Sequence, residues 1–186
     1  MKKNIFVKLA CVVAFIFLVS VYKSLNVGVV GQGWFQLRYS EVWVGGLIGV
    51  MLLYVDYYFY AYHLHPQESA SVEARKLVNQ KKYLDAVYVV ITKRAQNTKL
   101  IFHNASFQVF FLVFVFFVVT SSASLLGRGI VFGMVIHLLV DMLNDKSSQG
   151  NLDSWFISFP IEVTGVNQTW YLAAQTVSIF ALGLFF

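Results

Sequence analysis

The chain of 186 residues is 58% hydrophobic and only 12% charged, with 18 Phe and 10 Tyr, roughly half the charge share of an ordinary soluble domain. So little polar surface excludes a water-soluble globule and points to a membrane protein. A single cysteine, Cys11, excludes an internal disulfide and any multi-cysteine zinc or iron–sulfur site, and the net charge of +5 fits loops held in the cytoplasm rather than nucleic-acid binding.

In chain order, the first apolar segment is Ile5 to Val21, behind the basic start Met-Lys-Lys. No small-x-small cleavage site follows it, so it reads as an uncleaved helix with Lys8 snorkelling to the interface. The second, Val42 to Tyr62, is long enough to span. Tyr54, Tyr57, Tyr58, Tyr60 and Tyr62 crowd its end as an interfacial belt, with Asp56 among them. The third, residues 107–126, and the fourth, residues 129–143, read as a tight helical hairpin, the fourth short for a span at 15 residues. The fifth, residues 170–186, is apolar to the last residue.

Between segments two and three lies the only substantial polar region. Its centre, residues 66–100, has apolar residues at Leu77, Leu84, Val87, Tyr88 and Ile91, a spacing that fits one or two amphipathic helices. Arg75, Lys76, Lys81, Lys82, Lys93, Arg94 and Lys99 stand there against Glu68, Glu73 and Asp85. The positive-inside rule places this region, and the N-terminus with it, in the cytoplasm. Arg75, Lys76, Lys81, Lys82, Lys93 and Arg94 are the expected contacts to anionic lipid head groups or to a cytoplasmic partner. The expected fold is an all-α polytopic membrane bundle of about five transmembrane segments with this helical insertion, forming a single domain over residues 1–186 of the plasma (inner) membrane. A four-span arrangement, with segments three and four re-entrant, is the alternative.

That topology gathers the ionisable residues. His63, His65, His103, His137, Asp56 and Asp141 all fall toward the cytoplasmic face. His137 and Asp141, at i and i+4, share a helix face with Asn144 at i+7; Asp56, Tyr60 and His63 share another. Ionisable groups within a span are costly in lipid, so both faces should point into the bundle or a wet cavity. Neutral imidazole and carboxylate are the usual ligands of zinc and similar divalent ions, so Asp56, His103, His137 and Asp141 form a candidate metal set with water at an open position. The same His–Asp pair also reads as a plain hydrogen-bonded link between helices. The His63–Pro66 stretch reads as an interfacial turn, and the aromatic residues of the 151–170 loop, Trp155, Phe156, Phe159 and Trp170, as interface contacts.

Three stretches carry a family resemblance: "GVMLLYVD" ending at Asp56, "GMVIHLLVD" from Gly133 to Asp141, and "SWFISFP" from Ser154 to Pro160. Together they resemble the bacterial inner-membrane metal-dependent hydrolase family, over about residues 45 to 160. The resemblance implies a helical membrane fold and a metal held by acidic and histidine motifs. The first motif here keeps only Asp56, and the central one only His103, with Thr98 where a second histidine would fall. Two functions stand side by side on this sequence: a non-catalytic membrane scaffold or assembly subunit with basic cytoplasmic helices, and a membrane-embedded metal-dependent hydrolase acting on a lipid or lipid-linked ester at the cytoplasmic face.

Overall fold

The computed structural model describes residues 7, 10, 11, 13–15, 37–93 and 100–185. These residues form helices and no strand. Helix α1 spans Leu37–Leu52 and α2 Val55–Phe59, and a wider π-helical turn follows over Tyr60–Leu64. A hairpin of α3 (Ser69–Asn79) and α4 (Tyr83–Lys93) comes next. Then come α5 (Ala105–Ser121), α6 (Leu125–Gln149), the short α7 (Asp153–Phe156) and α8 (Gly165–Leu184). Segment one falls largely outside the described residues; of it, Phe15 is buried against Phe132 and Phe180.

Helix α6 is the hub. It packs above all on α1, and also on α5 and α8. Its contact with α1 is a backbone-to-backbone crossing built on glycines at a spacing of four: Gly45 and Gly49 on α1, Gly129 and Gly133 on α6. A Cβ at Gly49 would collide with the Ile130 carbonyl oxygen, and one at Gly133 with the Gly46 carbonyl. Where lipid is as apolar as the side chains, such close approach is what holds helices together.

At 25 residues, α6 is considerably longer than the 15-residue segment the apolar run suggested. Ser124 caps its start, its Oγ accepting from the Gly127 N–H at 3.1 Å. Gly127 and Gly129 therefore lie inside the helix, and the turn after α5 falls at Ser122 to Ser124. Gly150, at φ 76°, ends the helix in the left-handed conformation glycine favours. Two stretches, Ser40–Leu64 and Leu125–Gln149, are long and apolar enough to cross a membrane. Helix α5 has 17 residues, a rise of about 25 Å.

Helices α1, α5 and α8 each leave large apolar side chains exposed. On α5, Phe110, Val113, Phe114 and Phe117 form one exposed stripe, with Phe110 at 77% and Phe117 at 64%. Leu47 and Met51 on α1, and Val177, Phe180 and Leu184 on α8, are exposed as well. The α3–α4 hairpin closes over the end of the second segment. Ala74, Ala86 and Val90 bury against Tyr57, Tyr60 and Ala61 in a second small core.

Candidate metal centre

The site forms where three chain segments meet at one end of the bundle. The first supplies Asp56. After Leu52 the helix tightens, with Asp56 N–H bonding to the Leu53 carbonyl and Tyr57 N–H to the Tyr54 carbonyl, three residues back in each case. It then widens into the π-helical turn, where His65 N–H reaches the Tyr60 carbonyl five residues back. This change of pitch breaks the expected face of Asp56, Tyr60 and His63. Asp56 and Tyr60 are fully buried, and the Tyr60 hydroxyl donates to Glu68, while His63 is exposed and rests on Tyr58 and Phe59. His65 packs on the Tyr60 ring. Of the four histidines, two converge, His103 and His137.

The second segment, Leu100 to Asn104, wraps the Asp56 carboxylate. Oδ1 accepts the Ile101 N–H at 3.0 Å, and Oδ2 accepts the N–H groups of Phe102 at 2.9 Å and His103 at 3.2 Å. Asn104 then caps α5, accepting from the Phe107 N–H at 2.7 Å. With its backbone held on both sides, His103 sets its ring, Nδ1 lying 2.8 Å from Asp56 Oδ2.

The third segment is α6. His137 Nδ1 lies 2.8 Å from the Val50 carbonyl oxygen on α1. The glycine crossing permits that contact, because it brings the α1 backbone close to α6 beside Val50. One turn on, Asp141 Oδ2 lies 3.0 Å from His137 Nε2 and 3.2 Å from His103 Nε2.

The proton inventory of this cluster is informative. A carbonyl oxygen only accepts, so His137 carries its proton on Nδ1. The Asp56 carboxylate accepts three backbone N–H groups and is ionised, so His103 donates to it from Nδ1. Each neutral imidazole has one donor and one acceptor nitrogen. Both Nε2 atoms are then lone pairs, and both face a carboxylate oxygen of Asp141. Three acceptors meeting at one point repel unless a proton or a cation sits among them.

Without a metal, a proton on His103 meets this need. Burial pulls its pKa down, but hydrogen bonds to Asp141 and Asp56 and the charges of both outweigh that and hold it above its ordinary value. A cation meets the same need. His103, His137 and Asp141 present one ligand atom each, all within 4.8 Å of one another, and form a group able to hold a metal ion. Ligands of a tetrahedral zinc stand about 3.3–3.6 Å apart, a few tenths of an ångström beyond the 3.0 and 3.2 Å seen here.

Asp56 stands behind this group. Its oxygens are taken by backbone and by His103 Nδ1, so it orients His103 in the manner of the carboxylate partners that accompany metal-bound histidines. The structure thus brings the four candidate residues Asp56, His103, His137 and Asp141 together in two tiers. Two neighbours carried no such signal in the sequence. Tyr57, read as part of an interfacial belt, is 4% exposed, and its hydroxyl lies 3.5 Å from His103 Nε2. Trp155, read as an interface contact, is 2% exposed; its ring lies tilted against that of His103, 5.8 Å between centroids, and its Nε1 donates to Asp145. Phe156 is buried too, whereas Trp170 is 71% exposed. Arg75 does not face outward as expected, because its guanidinium donates to the Ala61 and Pro66 carbonyls. Lys76, Lys81 and Lys82 are exposed, while Arg94, Thr98, Lys99 and the side chain of Lys93 lie outside the described residues.

No family model, curated protein or solved structure matches this chain. What fold and site define is a class: an all-helical protein with two helices able to cross a membrane and a buried His–His–Asp cluster able to hold a metal.

Proposed function

We propose that the chain is a membrane-embedded metal protein that uses His103, His137 and Asp141 as ligands for a divalent ion, with hydrolysis of a lipid or lipid-linked ester as its activity. The carrying observation is the convergence of two histidine Nε2 atoms and one carboxylate oxygen, each imidazole fixed by a separate acceptor behind it. Three protein ligands leave coordination open, as catalytic rather than structural zinc sites do; two histidines and one carboxylate also suit iron. Such an ion, when bound, lowers the pKa of water and supplies a hydroxide nucleophile at neutral pH. The chain's own residues hold the ligands in place and exclude bulk water.

Position supports action at a membrane face. His137 lies about 18 Å and Asp141 about 24 Å along α6 from Leu125, against a hydrocarbon thickness of about 30 Å. The cluster thus falls toward one end of the candidate spans, below the α3–α4 hairpin, whose exposed lysines favour the cytoplasmic side under the positive-inside rule. The apolar stripes of α1, α5 and α8 suit contact with lipid.

The test is metal content of the detergent-purified full chain, wild type against His137→Ala with Asp141→Ala. One zinc, manganese or iron per wild-type chain, lost in the double variant, is the expected result. No metal in either, with the variant only less stable, returns the pair to a structural role. The second reading, a scaffold or assembly subunit, would then stand. It is favoured by the outer face of α4, where Tyr83, Leu84 and Tyr88 are exposed beside Lys81 and Lys82, a pattern suited to anionic lipid or a partner.

A further inference from the structure

Helix α4 leaves large apolar side chains open to its surroundings. Ala86 and Val90 close inward on Tyr57, Tyr60 and Ala61, but Tyr83, Leu84 and Tyr88 are 61%, 57% and 45% exposed. Lys76, Lys81 and Lys82 are exposed as well, and within the described hairpin Asp85 is the one exposed acid. Lys81 is also held against its local preference. The Lys82 N–H bonds to the Leu77 carbonyl and the Lys81 N–H to that of Val78, closing the end of α3 around a left-handed residue. That residue is Lys81, at φ 60°, the one non-glycine residue with positive φ among those described. Glycine fits such a position without steric cost, so a lysine there calls for a reason outside the turn.

Depth supplies one. Helix α4 packs beside the candidate span Ser40–Leu64, against Tyr57 to Ala61, which lie about 25–32 Å along it from Ser40 at the α-helical rise. A hydrocarbon layer is about 30 Å thick. The helix therefore flanks the bundle at head-group level, where tyrosine is enriched and lysine meets lipid phosphate. We propose that the outer side of α4 rests in an anionic lipid leaflet, with Tyr83, Leu84 and Tyr88 in the head-group layer and Lys81 and Lys82 on the phosphates of acidic phospholipids. A water-soluble partner is the rival occupant, and it would have to reach this side of α4 through the head groups. The proposal rests on the membrane reading and holds whether or not the cluster carries a metal.

The experiment uses the full chain with Cys11→Ser, reconstituted in bilayers of phosphatidylglycerol and phosphatidylcholine. A fluorophore is placed on Leu84→Cys or, as a reference on the apolar stripe of α5, on Phe117→Cys. Brominated lipids of either head group quench a fluorophore they touch. The expected result is quenching at both positions, with brominated phosphatidylglycerol preferred at Leu84 and not at Phe117. Lys81→Gln and Lys82→Gln should each lower that preference about fivefold. Lys81→Gly separates lipid binding from a structural role: the preference should fall as in Lys81→Gln, while the unfolding temperature stays the same or rises. Quenching at Phe117 without quenching at Leu84 overturns the proposal and leaves this side of α4 to a soluble partner. Equal quenching by the two lipids at Leu84 overturns it too, as does a preference that survives both lysine substitutions. No quenching at Phe117 removes the membrane reading itself, and this inference with it.

Discussion

Asp56 touches no other member of the ligand trio than His103, yet its position decides what His103 can do. Its two oxygens gather three backbone N–H groups and Nδ1 of the ring, which fixes both the ring and its tautomer. Asp56→Asn keeps an acceptor for Nδ1 and removes the charge. Metal affinity should fall about 10- to 100-fold, measured by competition with a chelator, with helix content unchanged. His63→Ala and His65→Ala should leave metal binding within about twofold, since neither ring enters the cluster. At this scale the sequence was legible in part. The i, i+4 spacing of His137 and Asp141 on one helix gave their shared face directly. The involvement of His103 and Asp56, 47 positions apart, followed only from which end of the bundle each falls at. The place of Tyr57 against His103 was hidden, because a tyrosine beside four others near a helix end looks like an interfacial belt until its burial is known.

Among the elements, the α1–α6 crossing governs the site. Gly49 and Gly133 face backbone on the opposite helix, and backbone cannot rotate away as a side chain can. Gly49→Leu or Gly133→Leu should force the helices apart, at a cost above the roughly 1–3 kcal/mol of ordinary overpacking. The His137–Val50 bond should be lost along with metal binding. Gly127 provides the control: a Cβ there meets only Ser124 at 3.5–3.6 Å, so Gly127→Ala should be neutral or slightly stabilising. Thermal unfolding in detergent, read beside metal content, separates the two cases. The spacing of four between Gly45 and Gly49, and between Gly129 and Gly133, was the available sequence signal. The extra length of α6 was harder to see. Asp141, Asn144, Asp145 and Lys146 interrupt the apolar run, although the helix itself continues to Gln149 under tertiary packing.

For the molecule as a whole, the membrane reading makes a geometric prediction. Lys81, at the tip of the α3–α4 hairpin, and Ser122, in the turn before α6, lie at opposite ends of the candidate spans. In intact cells carrying Cys11→Ser, a membrane-impermeant maleimide should label Ser122→Cys and leave Lys81→Cys unlabelled until the membrane is opened. Equal labelling of both would deny that α6 crosses. The exposed apolar stripe of α5 should place spin labels at Phe110 and Phe117 in contact with lipid-soluble relaxants rather than aqueous ones.

The sequence alone determined the class of structure, helical with stretches long and apolar enough to cross a membrane. A chain with 12% charge and 18 phenylalanines has little polar surface, and apolar runs of this length satisfy their backbone as helices. It also nominated the ionisable residues worth watching, because charge within such runs is costly enough to need a reason. What only the tertiary structure decided is which of them meet, and in what order. The tightening and widening of the helix around Asp56 turned His63 away and Tyr57 inward. The glycine crossing brought the Val50 carbonyl to His137, and the backbone of residues 101–103 closed on Asp56. These are contacts between segments far apart in the chain, set by backbone approach and hydrogen-bond direction, and no periodicity within a single segment encodes them.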